Sequence, residues 1–161
     1  MWGGSTRAEP AAEVRLDIET AWRLYYASMV SLATLLCGSR RDAEDIVQDV
    51  FVSLHRARDG VHDAESYLRA AVVNRCRSRH RRELLARRRT QLGPEASLDP
   101  ETDVTLRQLR RLKPNQRTAL VLRFYHDLSM AQVALAMGCS TATARSHVHR
   151  GLKALREVLE C

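Results

Sequence analysis

Residues 112 to 159 read LKPNQRTALVLRFYHDLSMAQVALAMGCSTATARSHVHRGLKALREVL, and their punctuation specifies two short helices across a tight turn. Ser129 followed by Gln132 fits a capping box, in which hydroxyl and amide satisfy each other's orphan backbone N–H. Val133, Ala134 and Met137 then face inward. Gly138 can take the positive φ that ends a helix without a Cβ penalty, and Ser140 can cap the next one. The outward positions Thr141, Ala142, Arg145, Ser146 and His149 carry no bulky apolar side chain, so this second helix can enter a major groove. Beneath it, Leu120, Val121 and Phe124 on a helix opened by Pro114 are expected to pack. The same punctuation also occurs in helical bundles that never meet nucleic acid, so the remaining chain must decide.

A chain of 161 residues suffices for one ordinary domain or two small ones, and 45% hydrophobic content argues against general disorder. A net charge of +7 favours a polyanionic partner. The first residues contain charged groups and no apolar run, so neither a signal peptide nor a membrane span is expected, and the protein is expected in the cytoplasm. Cys37, Cys76, Cys139 and Cys161 form no C-x-x-C pair and have no histidine at zinc-ligand spacing. The six histidines show no ligand pattern, and no Gly-rich phosphate loop or Ser/His/Asp set is present. No catalytic residue, metal or cofactor is therefore assigned.

Residues 1–15 read as a flexible arm. From Ile18 to Cys37 apolar residues recur at helical intervals on more than one face, which suits a central helix, and Gly38 should end it. Ser39 with Asp42 resembles another capping box and opens a helix whose stripe Ile46, Val47, Val50, Phe51 and Leu54 is expected inside. Asp42, Asp45, Gln48 and Asp49 line its other side. Acidic residues in a first turn suit the helix dipole, but Asp49 lies too far along for that to explain it.

Asp63 and Ser66 mark a further helix start. Between Ser66 and Leu92 nine arginines face Glu83 alone, a local surplus of +8 that exceeds the whole chain's +7. A solvated helix face usually mixes signs, so this stripe is expected to bind phosphates, for which the planar guanidinium is suited. Gly93, Pro94, Ser97, Asp99 and Pro100 mark a linker, Asp99 and Pro100 fitting the N-cap and N1 of a short helix. The expected architecture is all-α: one helical module at 16–90, a flexible linker at 91–103, and a helix-turn-helix module at 104–161.

Together DAEDIVQDVF at 42–51, YLRAAVVNRCRSRHRR at 67–82 and the stretch at 112–156 resemble, in the family's order, the extracytoplasmic-function group of sigma-70 factors. The resemblance implies regions two and four of a sigma factor that directs core RNA polymerase to promoters and helps open DNA. It implies that Asp42, Asp45, Gln48 and Asp49 dock on the clamp helices of the polymerase largest subunit. It further implies that Val61, His62, Tyr67, Asn74, Arg77, Ser78 and Arg81 meet the minus-ten element, where a base captured from the opened strand exposes its hydrogen-bonding edge. Thr141, Arg145, Ser146, His149 and Arg150 correspond to the reader of the minus-thirty-five element. An anti-sigma protein is an implied partner, and membrane insertion is not. The chain departs from the family pattern at Val73, Ser78, Ala144 and His147.

Ser140, Thr143, Arg145 and His147 also resemble the recognition helix of LuxR-type regulators. That alternative leaves the N-terminal module unexplained.

Overall fold

The computed structural model describes residues 17–90 and 104–160. The arm at 1–15, the linker at 91–103 with its Asp99–Pro100 cap, and Cys161 lie outside these residues.

Asp17 accepts hydrogen bonds from the N–H groups of Glu19 and Thr20 and starts α1, Ile18–Cys37. Gly38, at φ 82°, ends it by donating to the Thr34 carbonyl. Ser39 caps α2, Arg40–Ala57, by accepting from the Asp42 N–H. The second half of the expected capping box is replaced: the Asp42 carboxylate turns to Arg79, 2.8 Å away. After a 3₁₀ turn at Arg58–Gly60, Asp63 accepts from the Ser66 N–H at the start of α3, Ala64–Thr90.

These three helices pack together through Met29, Leu32, Val47, Leu54, Leu68 and Val72, none of which retains accessible surface. Burying each such side chain contributes about 1.5–3 kcal/mol. The α2 stripe is inside as its periodicity predicts. On α1, by contrast, Leu24 stays largely exposed and Trp22 only partly covered, and Trp22 stacks on Tyr26 and meets the edge of Phe51.

The C-terminal helices are α4, Val104–Arg110; α5, Pro114–Leu120; α6, Met130–Met137; and α7, Thr141–Leu159. Gly151 of α7 lets α5 approach closely, since a Cβ there would stand 3.0 Å from Leu120 Cγ. Leu120 and Val121 are buried as expected, but Phe124 is 60% exposed. The reason is local. Residues Val121–Tyr125 form a π turn closed by the His126 N–H on the Val121 carbonyl, and its wider winding carries Phe124 off the buried face.

The two sets of helices share one hydrophobic cluster. Helix α3 packs on α6, and α1 packs on α5 and the π turn. Arg77 donates to the Met137 carbonyl at 3.3 and 3.4 Å, where α6 ends with orphan carbonyls. His126, with a buried Nε2 that has no partner, lies in the field of Arg69 and Glu65 of α3. Burial first, and then Arg69, depress its pKa.

A depressed histidine stabilises the fold while it stays neutral, and that contribution is lost as pH falls below the ordinary histidine pKa of about 6.5. The thermal midpoint should therefore drop between pH 7.5 and 5.5, and His126→Gln should flatten that part of the profile. An unchanged profile in the variant would assign the dependence to other groups.

Candidate nucleic-acid and polymerase interface

The helix-turn-helix forms as its caps dictate. Ser129 accepts from the Gln132 N–H while Gln132 Oε1 accepts from the Ser129 N–H, which completes the box at the start of α6. Val133, Ala134 and Met137 are buried, and Gly138 takes φ 65°. Ser140 then accepts from the Thr143 N–H and starts α7. Ala144, with no exposed surface, is the close contact that seats α7.

On the opposite side Arg145, His149 and Arg150 are exposed, while Thr141 and Ser146 are half-buried. His147 is also half-buried. Guanidinium and imidazole donors on a helix cleared of large apolar groups can reach base edges and phosphates.

Helix α3 carries a second surface. Asn74, Ser78 and Arg81 are exposed and recur at helical spacing, with half-buried Tyr67 in line and His62 exposed in the preceding loop. Val61 and Tyr67 pack partly on the core. Arg77 is not brought to this face, because its guanidinium is committed to α6.

The arginine stripe is likewise divided. Arg69 is 8% exposed and pairs with Glu65 at 2.5 Å; Arg75 pairs with Asp49 at 3.4 Å; Arg79 takes both Asp42 and Glu83. The single-signed helix expected from sequence thus obtains acids from α2 and from its own first turn. Arg81, Arg82, Arg87, Arg88 and Arg89 remain exposed along its far half.

The acidic face of α2 splits too. Asp45, Gln48 and Asp49 are exposed, whereas Asp42 is drawn toward α3 by Arg79. The Arg75–Asp49 pair is a surface pair of the kind worth about 0–1 kcal/mol, so a basic partner can displace it.

Sequence reasoning missed Arg110, Arg117 and His126, which meet the N-terminal helices. Arg117 stands between Gln116 and Thr118, where no local pattern marks it for burial. Among the described residues no group of three or more His, Cys, Asp or Glu could hold a metal ion, and no helix is long and apolar enough to cross a membrane.

Comparison with known proteins accords with this geometry. The model of Sigma-70 region 2 matches residues 21–85, and that of Sigma-70, region 4 matches residues 103–155. The RNA polymerase sigma-E factor of Streptomyces avermitilis is 32% identical over 90% of this chain and 86% of its own length. The ECF RNA polymerase sigma factor SigM of Mycobacterium tuberculosis is 29% identical over 90% of this chain and 78% of its own. Among solved structures, the sigma factor RpoE of Bartonella quintana, in complex with the anti-sigma factor NepR, superposes with a TM-score of 0.74 at 22% identity, over 89% of this chain and 97% of that one. These matches span both halves, which the LuxR alternative does not.

If the Ser140 cap sets the start of the reading helix, Ser140→Ala should lower stability by about 1 kcal/mol and fray its first turn. Amide exchange at Thr143 should rise, and unchanged exchange there would show that the cap is dispensable.

Two helical modules carrying regions 2 and 4, together with a relative similar over nearly its whole length, place the chain in the sigma-70 family of RNA polymerase sigma factors, in the extracytoplasmic-function group.

Proposed function

We propose that the two modules, at 16–90 and 104–161, grip a promoter at two points while the α2 acidic face holds core polymerase. Asp45, Gln48 and Asp49 dock on the largest-subunit clamp helices, with Asp42 at their edge. Val61, His62, Tyr67, Asn74, Ser78 and Arg81 engage the minus-ten element. Thr141, Arg145, Ser146, His149 and Arg150 read the minus-thirty-five element. The protein acts in the cytoplasm without a bond-breaking step of its own, and an anti-sigma protein is a further partner.

The observation that carries this reading is the cleared, basic face of α7 presented by a fully capped helix-turn-helix. The two promoter elements lie about 25 base pairs apart, on the order of 85 Å of duplex at ~3.4 Å per base pair. A compact chain of this length has a radius of gyration of only about 15 Å. The packed halves must therefore part when both elements are held.

Reversing Asp45 and Asp49 together to Lys should abolish co-purification with core polymerase; retained binding would remove α2 as the docking face. Arg145→Ala should weaken recognition of one upstream base step by about 1–3 kcal/mol, while Arg81→Ala should weaken binding on all sequences and lower the salt slope by about one. A uniform loss from Arg145→Ala in binding titrations would show a phosphate contact instead.

A further inference from the structure

Where the end of α1 and the start of α2 meet α3, α4 and α5, a cavity of about 380 Å³ opens. Its wall carries Arg79, Arg87, Arg110 and Arg117 against only Asp42 and Glu83. Both carboxylates are already taken by Arg79, at 2.8 and 3.0 Å. Among the described residues no carboxylate pairs with Arg110 or Arg117.

Arg117 is 8% exposed, and its Nε has no hydrogen-bond partner; neither has the buried Nη1 of Arg110. Arg110 lies against Gly38, where a Cβ would fall 2.6 Å from its Cζ, so the glycine both ends α1 and makes room for the guanidinium. Burial, followed by the charge of Arg110, lowers the pKa of Arg117, as expected for a cation short of counter-charge.

A buried Arg117 guanidinium beside a half-buried Arg110, with no acid paired to either among the described residues, is unfavourable, and arginine does not escape by losing its proton. Water in the cavity would solvate them but not neutralise them. A small oxyanion does both, and it accepts from planar N–H forks in a way that fits bidentate geometry. The backbone of duplex DNA is excluded, because Arg117 lies in the wall of a cleft between packed helices and not on an open face.

We propose that this cavity binds a phosphate-type oxyanion, held by Arg110 and Arg117 with Arg87 beside them. Arg110 and Arg117 belong to the C-terminal helices, whereas the rest of the wall belongs to α1, α2 and α3. An occupant therefore bridges the two halves and favours their packed arrangement by mass action. None of the lining residues is among those assigned above to the minus-ten or minus-thirty-five element, so the site stands or falls separately from the promoter assignment.

The test is thermal unfolding of the full chain in inorganic phosphate, against sodium chloride of matched ionic strength. Phosphate should raise the midpoint saturably, by about 5–10 °C at a hundredfold excess over its dissociation constant. Arg117→Met and Arg110→Gln should each abolish the rise, and Arg88→Ala, on the exposed end of α3, should keep it. Arg117→Met should unfold no lower than the parent in chloride, because it removes an unpaired buried charge; this separates loss of the site from loss of the fold. Pyrophosphate binding more tightly than phosphate would assign a diphosphate-bearing ligand, and equal or weaker binding a monophosphate, either one in support. A rise matched by chloride, lost equally in Arg88→Ala, or retained in both cavity variants would overturn the proposal.

Discussion

Burial of one side of α3 is the constraint on which the other elements depend. Leu68, Val72, Val73 and Cys76 are withdrawn from water beneath helices from both halves of the chain. Removing a large side chain from such a position costs about 2–5 kcal/mol, more than any surface ion pair on the same helix can return. Apolar packing therefore sets how α3 lies, and its arginines take whatever surroundings that position provides. Arg69 falls inside, Arg77 meets the end of α6, and Arg81 points to solvent.

That order of effects explains why a run of arginines on one helix does not act as one surface. Arg75 and Arg79 find Asp49 and Asp42 across the α2–α3 contact, at separations that no local sequence rule encodes. The remaining exposed arginines, Arg81, Arg82, Arg87, Arg88 and Arg89, form a shorter basic surface on the far half of α3. Acid on α2 and base on α3 are thus kept on neighbouring but distinct surfaces, which a factor touching both a protein and DNA requires.

The helix-turn-helix is built on different physics. Its geometry comes from caps and backbone: the Ser129–Gln132 exchange, the left-handed Gly138 and the Ser140 hydroxyl. Ala144 then seats α7 with a methyl group only. These caps act within the unit itself, although its inner residues join the same hydrophobic cluster as the N-terminal helices. The junction between the halves is less comfortable, with buried unpartnered nitrogens on Arg69, Arg110, Arg117 and His126. Such groups weaken a contact relative to an apolar one and make it open to ligands and pH.

Local patterns determined the helix starts at Ile18, Met130 and Thr141, the stop at Gly38, the inner stripe of α2 and the face of α7, because caps, glycines and 3.6-residue periodicity act within a few residues. They also carried the order of acidic helix, basic helix and helix-turn-helix from which the family is recognisable. Tertiary structure alone decided the pairing of Asp42 with Arg79, the diversion of Arg77 to the Met137 carbonyl, the outward turn of Phe124 at the π turn, and the meeting of Arg110 with Arg117 against Gly38. Each of these depends on which helices become neighbours, a choice made by the summed burial of many apolar side chains and written in no single window of sequence.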